Sequence, residues 1–472
     1  AIEAVLQVVT LNQPSALEAD ATQIQASLSL ERGELVRAVL FELPGGQQRL
    51  LLAIHHLVVD GVSWRILLED LQSAYQQASQ GQPISLAGRS ASCRQWAQRL
   101  TEYARSDALL AERTYWLQAL SEEDAQFPCD IPGAAATLRE AAHASSRLDK
   151  ALTHKLLKVA PAAYRTQVND LLLTALARVL CQWSGQPAVS IQLEGHGRED
   201  LFDDLDLSRT VGWFTSLFPV RLSPQGSVGD SIKRIKQQLW QVPNKGIGYG
   251  VLRYLGDAEF ARQLAGVAQP RITFNYLGQF DGSFSEDSGA LFVPAGESAG
   301  RSQGEDAPLG NWLSVNGQVY DGELRLDWTY SRAMYRAETI QGLARALEQA
   351  LEEVIMHCLE DGAQGVTPAD FPLAGLTQEQ LDRLPVAARD IEDIYPLSPM
   401  QEGLLMHTLL EPGSGIYLMQ YCYQVDHAID IDAFNQAWKT VIARHGVLRT
   451  SFCWDLGGRM VQIVHRPTVP AL

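Results

Sequence analysis

Two adjacent histidines, His55 and His56, close the apolar run QRLLLAIHH, and an aspartate, Asp60, follows just before Gly61. Imidazole titrates near neutrality, so a histidine held at the rim of a cleft can exchange a proton with a substrate. The bland alternative is a pair of satisfied core histidines. A metal site would want a third ligand, and LVVDG reads as a strand exit rather than one face of a helix. Asp60, at the turn, reads as structural, either pairing with an arginine or capping the helix that follows.

Glu194 offers a second chemistry. It ends the strand VSIQL just before the glycine turn of EGHGRED. A carboxylate left partly desolvated at a strand end has the raised pKa a proton carrier needs, whereas a carboxylate beside a turn is otherwise just solvated. Asn275 and Tyr276 close a third apolar strand, in PRITFNYLGQF. Strand ends are where a rigid scaffold presents side chains to a cleft.

The elements that must position these groups are legible from periodicity. QRLLLAIHH has the length of a buried strand, and Val62, Ile66, Leu67, Leu71 and Tyr75 recur at helical spacing after the Asp-Gly turn. QWAQRLTEYARS and AERTYWLQAL read as helices, and VNDLLLTALARVLCQWSG as a helix closed by Gly185. Beyond a helical pattern at 338–357, LEDGAQGVTPADFPLAGL is rich in Gly, Pro and Asp without a period, as expected of a linker. In SPMQEGLLMHTL a new helix begins, with Ser398 as cap, Pro399 at the first position and Gln401 completing a capping box. The expected division is 1–145 and 146–359 for two lobes, 360–390 for the linker and 391–472 for the start of a further domain, which is expendable for chemistry in the first two.

Composition narrows the function classes. With 38 Lys+Arg against 55 Asp+Glu, a formal charge of -17 gives no basic footprint for nucleic acid. No apolar run reaches membrane-spanning length and the N-terminus lacks a signal pattern, so a cytoplasmic protein is expected. The six cysteines are scattered without a CxxC pair, which argues for buried thiols rather than a disulfide framework or zinc site. Ala1 at one end and RPTVPAL at the other are expected to be cuts in a longer chain.

Taken in order and spacing, HHLVVDGVSWRIL, EGHGRE, TVGWFTSLFP, NKGIGYG and FNYLGQF resemble the motifs of epimerization domains of nonribosomal peptide synthetases, a branch of the condensation-domain superfamily. The resemblance covers residues 1–357, while YPLSPMQEGLLMHTL and RHGVLRTSF resemble the opening motifs of a following condensation domain. Two departures stand out: the family's first tryptophan-rich motif has no counterpart before Ala1, and the condensation segment stops short of its own histidine motif. The resemblance implies an α/β fold of two chloramphenicol-acetyltransferase-like lobes in a V-shaped pseudo-dimer, the N-terminal one incomplete, plus a partial third lobe.

It also implies roles. His56 would face the substrate, His55 and Asp60 would hold the loop, and Glu194 would be the acidic catalytic residue from the other lobe. Asn275 and Tyr276 match residues near the cleft, and Trp213, Phe214 and Thr215 either shape the substrate channel or pack in the core. The implied reaction is L-to-D epimerization at the α-carbon of an aminoacyl or peptidyl thioester. The domain itself would bind no cofactor or metal. Its substrate would arrive on the 4'-phosphopantetheine arm of an upstream peptidyl carrier protein, with adenylation and condensation domains of the same synthetase as further partners. Two rivals remain: a peptide-bond-forming condensation domain, which has no evident use for a carboxylate at 194, and a non-catalytic carrier-docking module.

Overall fold

A computed structural model of the chain describes residues 6–120, 127–134, 136–279, 291–293, 295–413, 415 and 417–467. The architecture is α/β with three sheets. In the first, β1 (Leu6–Thr10) runs parallel to β2 (Val36–Glu42), which pairs antiparallel with β3 (Gln48–Ile54). The second has six strands in the order β4-β9-β8-β7-β5-β6, comprising β4 (Ala141–Leu148), β5 (Val189–Gly195), β6 (Ser216–Leu222), β7 (Ile272–Gln279), β8 (Leu313–Tyr320) and β9 (Glu323–Ser331). The third, β10-β12-β11, is antiparallel and joins β10 (Ile391–Pro396), β11 (Thr450–Cys453) and β12 (Val461–His465). No helix among the described residues is long and apolar enough to cross a membrane. The expectation of buried thiols is met at Cys358 and not at the exposed Cys93 and Cys422.

Two compact units emerge. The described residues of 1–154, 175–223 and 242–352 form one, and those of 155–174, 224–241 and 353–472 form the other. In the first unit, the six-stranded sheet is mixed. Its centre, β5, β7 and β8, is parallel, and its flanks are antiparallel. The parallel centre alternates buried and less buried residues, with Ile191, Leu193, Ile272 and Phe274 facing the core. On β4 the buried Ser146 hydroxyl donates to the Ala344 carbonyl at 2.8 Å and accepts from Trp328 Nε1 at 3.0 Å. These bonds satisfy two buried polar groups and fix the β4–β9 register. The predicted helix after Asp60 spans Gly61–Ser79. Its apolar face is buried at Ile66, whereas Leu71 and Tyr75 are 40% and 56% exposed.

The second unit contains the segment expected as a linker, and most of its apolar residues are packed, the exposed Leu373 excepted. Val366, Phe371, Ala374, Leu376 and Leu381 share one core with Ile391, Ile394, Leu456, Val461 and Ile463. They lack a period because the chain crosses the surface of the third sheet in short turns, Pro368–Asp370 and Gln378–Asp382, instead of running as one long element. A buried ion pair clamps it. Lys236 Nζ donates to both oxygens of Asp370 at 2.6 Å and to the Tyr164 carbonyl at 2.9 Å, with side-chain exposures of 8% and 9% for the pair. Arg165 adds a guanidinium over the Phe371 ring at 5.1 Å and a bond to the Ile391 carbonyl. Beyond it, Ser398 and Gln401 form the predicted capping box, and Gly457 and Gly458, both at positive φ, connect β11 to β12. Many apolar side chains of the 399–454 stretch, such as Met400, Leu418 and Met419, are exposed.

Breaking a buried pair by removing one partner strands the other charge at a cost of about 3–5 kcal/mol, whereas replacing both by apolar groups is close to neutral. Lys236→Met is therefore expected to lower the unfolding free energy of this unit by that order, read by denaturant titration, and Lys236→Met with Asp370→Leu to recover most of it. Truncation before Ile391 opens the same core and is expected to speed amide exchange at Val366–Leu381.

Candidate active site

His55 and His56 lie just past β3, in a single helical turn that leads to Asp60. His55 Nδ1 accepts from the Leu57 amide at 3.2 Å, which shapes the turn. The ring of His56 stands at the surface and packs against the indole of Trp213, centroids 4.7 Å apart and planes tilted by 47°.

Asp60 does both jobs that its type and place suggest. It caps the Gly61–Ser79 helix, accepting from the Ser63 amide at 2.8 Å, and it pairs with Arg198 Nη2 at 2.8 and 3.0 Å. The side chains of this pair are 5% and 6% exposed. The Phe214 amide also donates to Asp60, at 3.1 Å. Burial pushes the Asp60 carboxyl up, but the bonds from Ser63, Phe214 and Arg198 outweigh it and hold the carboxyl below its usual range.

Arg198 comes from EGHGRED, within the glycine turn that follows Glu194. Nothing in the local pattern beyond its charge marks it as the partner of Asp60. Its guanidinium also donates to the Leu207 and Thr210 carbonyls and the Ser63 hydroxyl and lies 4.2 Å from the centre of the Phe214 ring. Ser63 in turn bonds both backbone groups of Gly212, at 2.9 and 3.0 Å. The segment 210–214 is thus held by the loop after β3 and by the exit of β5 together. Phe214 belongs to a buried cluster with Trp96, Leu207 and Ile247, so its side chain is core, while Trp213 is 50% exposed and Thr215 partly buried. Close approach makes Gly197 obligatory: its φ is +66°, and a Cβ there would sit 1.6 Å from the Phe214 carbonyl oxygen.

Glu194 and Asn275 meet because β5 and β7 are parallel and in register, Leu193 opposite Phe274. The next residue of each strand points to the other face, and there Asn275 Nδ2 donates to Glu194 Oε2 at 2.7 Å. Burial raises the Glu194 carboxyl above its usual range, and the nearby charge of His56 acts in the opposite sense. Tyr276, beside Gly317 of β8, has its hydroxyl pushed up to about 12 by burial. Phe280, the last residue of the FNYLGQF motif, lies outside the described residues. His56 thus packs on Trp213 and lies within electrostatic reach of Glu194, which Asn275 orients, while the Asp60–Arg198 pair ties the loop after β3 to the turn after β5. A carboxyl that resists ionisation within electrostatic reach of an imidazole has the chemistry to pass protons in both directions.

The condensation-domain family model matches residues 3–373 and again 391–471. One linear gramicidin synthase polypeptide of Brevibacillus parabrevis is 45% identical over 464 residues, which is 96% of this chain and 6% of that protein. The chain spans under a tenth of the length of the three linear gramicidin synthase polypeptides that it matches. A crystal structure of the epimerization domain from the third module of tyrocidine synthetase B is 39% identical, with a TM-score of 0.70 over 75% of this chain and 80% of that one. The condensation domain from monacolin K polyketide synthase is 17% identical, with a TM-score of 0.57 over 75% and 79% of the two chains, a likeness of fold alone.

Asp60→Asn leaves Arg198 buried without a counter-charge and is expected to cost about 3 kcal/mol or more in unfolding free energy, read by denaturant titration. Because the Asp60 carboxyl is depressed in the folded state, its contribution is present above the ordinary carboxylate range and is lost only as pH falls through the lowered value. The gap between wild type and Asp60→Asn should accordingly be full at pH 7 and shrink only on strong acidification. Gly197→Ala is expected to abolish soluble expression.

Proposed function

As this chain belongs to the condensation-domain family, we propose that its first 359 residues epimerize the α-carbon of an aminoacyl or peptidyl thioester delivered on the phosphopantetheine arm of a carrier protein. The observation that carries the reading is Glu194, a partly buried carboxyl with a raised pKa, oriented by Asn275 and influenced by His56. A thioester carbonyl acidifies the adjacent C–H by delocalising the carbanion into an enolate. One group must then remove the proton and another return it to the opposite face. Glu194 and His56 serve as those two groups, and the developing oxyanion is met by backbone amides or by protonated His56.

Similarity supports the same reading from another side, since the epimerization domain of tyrocidine synthetase B shares 39% identity with this chain over most of both. Peptide-bond formation has no evident use for a desolvated carboxyl at position 194, whereas α-carbon deprotonation does. The carrier, adenylation and condensation partners and the cytoplasmic setting of such synthetases form part of the same proposal. So do the lobe boundaries at 145 and 359.

In deuterated water, an L-aminoacyl thioester on its carrier is expected to yield a D/L mixture with deuterium at the α-carbon, read by chiral chromatography and mass spectrometry. Glu194→Gln and His56→Ala should each lower turnover by about a hundredfold or more with carrier binding retained. Dipeptide formation without inversion would replace the proposal with condensation, and carrier binding with neither reaction would leave a docking module. The raised Glu194 pKa gives a sign to the pH dependence. In the direction where Glu194 is the base, the rate falls as pH drops through a value above the ordinary carboxylate range. In the opposite direction, the rate falls as pH rises through it, and both limbs vanish in Glu194→Gln. A carboxyl raised in the folded state favours folding at low pH and loses that contribution as pH rises, so Glu194→Gln should melt no lower than wild type at pH 7.5.

A further inference from the structure

One buried carboxylate takes no part in this chemistry. Glu112 lies between the Asp107–Ala111 and Arg113–Leu120 helices with 6% of its surface exposed. Its Oε1 accepts from Asn244 Nδ2 at 2.8 Å and from the Tyr103 hydroxyl at 3.2 Å, and its Oε2 accepts from Trp116 Nε1 at 3.1 Å. A Cβ on Gly248 would fall 1.9 Å from the same Oε2. The Tyr249 ring packs on Trp116 with centroids 5.2 Å apart. Asn244, Gly248 and Tyr249 all belong to the NKGIGYG motif, to which the reaction gives no task.

The backbone of that motif is strained. Asn244 and Lys245 sit in the left-handed region at φ 44° and 50°, followed by Gly246 at 86°. Two consecutive non-glycine residues hold such angles only when their surroundings impose them. Glu112 supplies the restraint on Asn244. The strained run then grips the strand that carries Glu194. Gly246 lies flat on the ring of Phe218, where a Cβ would come within 2.1 Å, and Phe218 is the β6 partner of Leu193. The Lys245 carbonyl is 3.8 Å from the position a Cβ on Gly195 would take. Lys245 Nζ bonds Glu199 Oε2 at 3.0 Å, and His196 Nε2 reaches the other oxygen of Glu199 at 3.3 Å. The exit of β5 is therefore held on both sides of His196.

We infer that Glu112 is a positioning residue: by locking the left-handed run 244–246, it braces the exit of β5 and fixes the Glu194 carboxyl relative to the reacting carbon. The kinetic half of this inference rests on the epimerase reading, and the bracing half rests on geometry alone. Glu112→Gln keeps the shape but turns an amide NH2 toward hydrogen-bond donors, so at least one bond of the network is lost.

The test uses the full chain and carrier domains loaded in turn with L-valine, L-leucine and L-phenylalanine. In Glu112→Gln, amide exchange at 195–199 and 244–248 should quicken by about tenfold or more, and turnover should fall roughly ten- to a hundredfold at unchanged KM for the carrier. The ratio of inversion to α-carbon exchange with retention should change in the same direction as in Glu194→Gln. Leu109→Ala, a fully buried neighbour outside the network, is the control for lost stability and should leave that ratio at the wild-type value. Adding Asn244→Gly to Glu112→Gln lets the backbone hold its left-handed angles unaided and should restore part of the turnover. If Glu112→Gln does not fold, Trp116→Phe removes one donor and should give the same changes in weaker form. Wild-type exchange at 195–199 in these variants overturns the bracing, and a turnover loss with an unchanged ratio that Leu109→Ala reproduces overturns the kinetic role. A wild-type protein that neither inverts nor exchanges sinks the epimerase reading instead, and the amide-exchange arm still decides the bracing.

Discussion

The site depends on a charge that has been taken out of water and must not be left alone. Asp60 and Arg198 are both nearly inaccessible, and each has its hydrogen-bonding capacity spread over several partners. Desolvating two ions is costly, and their attraction offsets that cost only when geometry is close to ideal. Such a pair contributes little net stability but strongly disfavours any arrangement that separates its members. That property suits its location. One partner comes from the loop carrying His56 and the other from the turn after Glu194, so two segments distant in sequence are held to one relative placement.

Two carboxylates of this architecture have opposite fates. Asp60 receives donors from three directions and stays ionised, whereas Glu194 receives one amide and is desolvated without a comparable reward. The same side-chain chemistry thus yields a fixed structural anion and a carboxyl that holds a proton above the ordinary carboxylate range. What separates them is the sheet. Asp60 precedes a helix and gains its free amides, and Glu194 stands on a parallel strand whose own amides are consumed by the ladder.

Much of this was legible in the sequence, and what was not has a physical reason. The strand before His55, the helix after Asp60, the helix closed by Gly185 and the capping box at Ser398 follow from local rules, and local rules suffice because each involves neighbours in the chain. Asn275 could be placed on a strand, but the strand runs on to Gln279 and does not end at Asn275–Tyr276, and its place beside Glu194 was not legible, because a parallel pairing leaves no trace in periodicity. Arg198 was hidden for a related reason, as any of many arginines could have met Asp60. Glu112 was more deeply hidden, since a Glu at a helix junction looks solvated until Tyr103, Trp116 and Asn244 converge on it. The stretch around Phe371 misled in the other direction. Gly, Pro and Asp are enriched both where a chain is loose and where it must turn often against a core, and composition does not separate the two.

The six-stranded sheet carries a consequence for how such a protein is made. Among the described residues its edge strand β4 pairs only with β9, and Ser146 meets Trp328 across 182 positions. A ribosome that has just finished β4 has yet to synthesise every other strand of that sheet, so β4 waits without its partner until β9 has been made. Contacts this remote incur loop-closure entropy before they return any stabilisation, which makes folding slow. The parallel centre can form once β8 has emerged, but the Ser146 bonds must wait for β9 and the helix at Ala337–Leu359. The nascent chain therefore needs shelter for its unpaired edge, and slow decoding or chaperone capacity should govern the yield of folded protein more than the final free energy does.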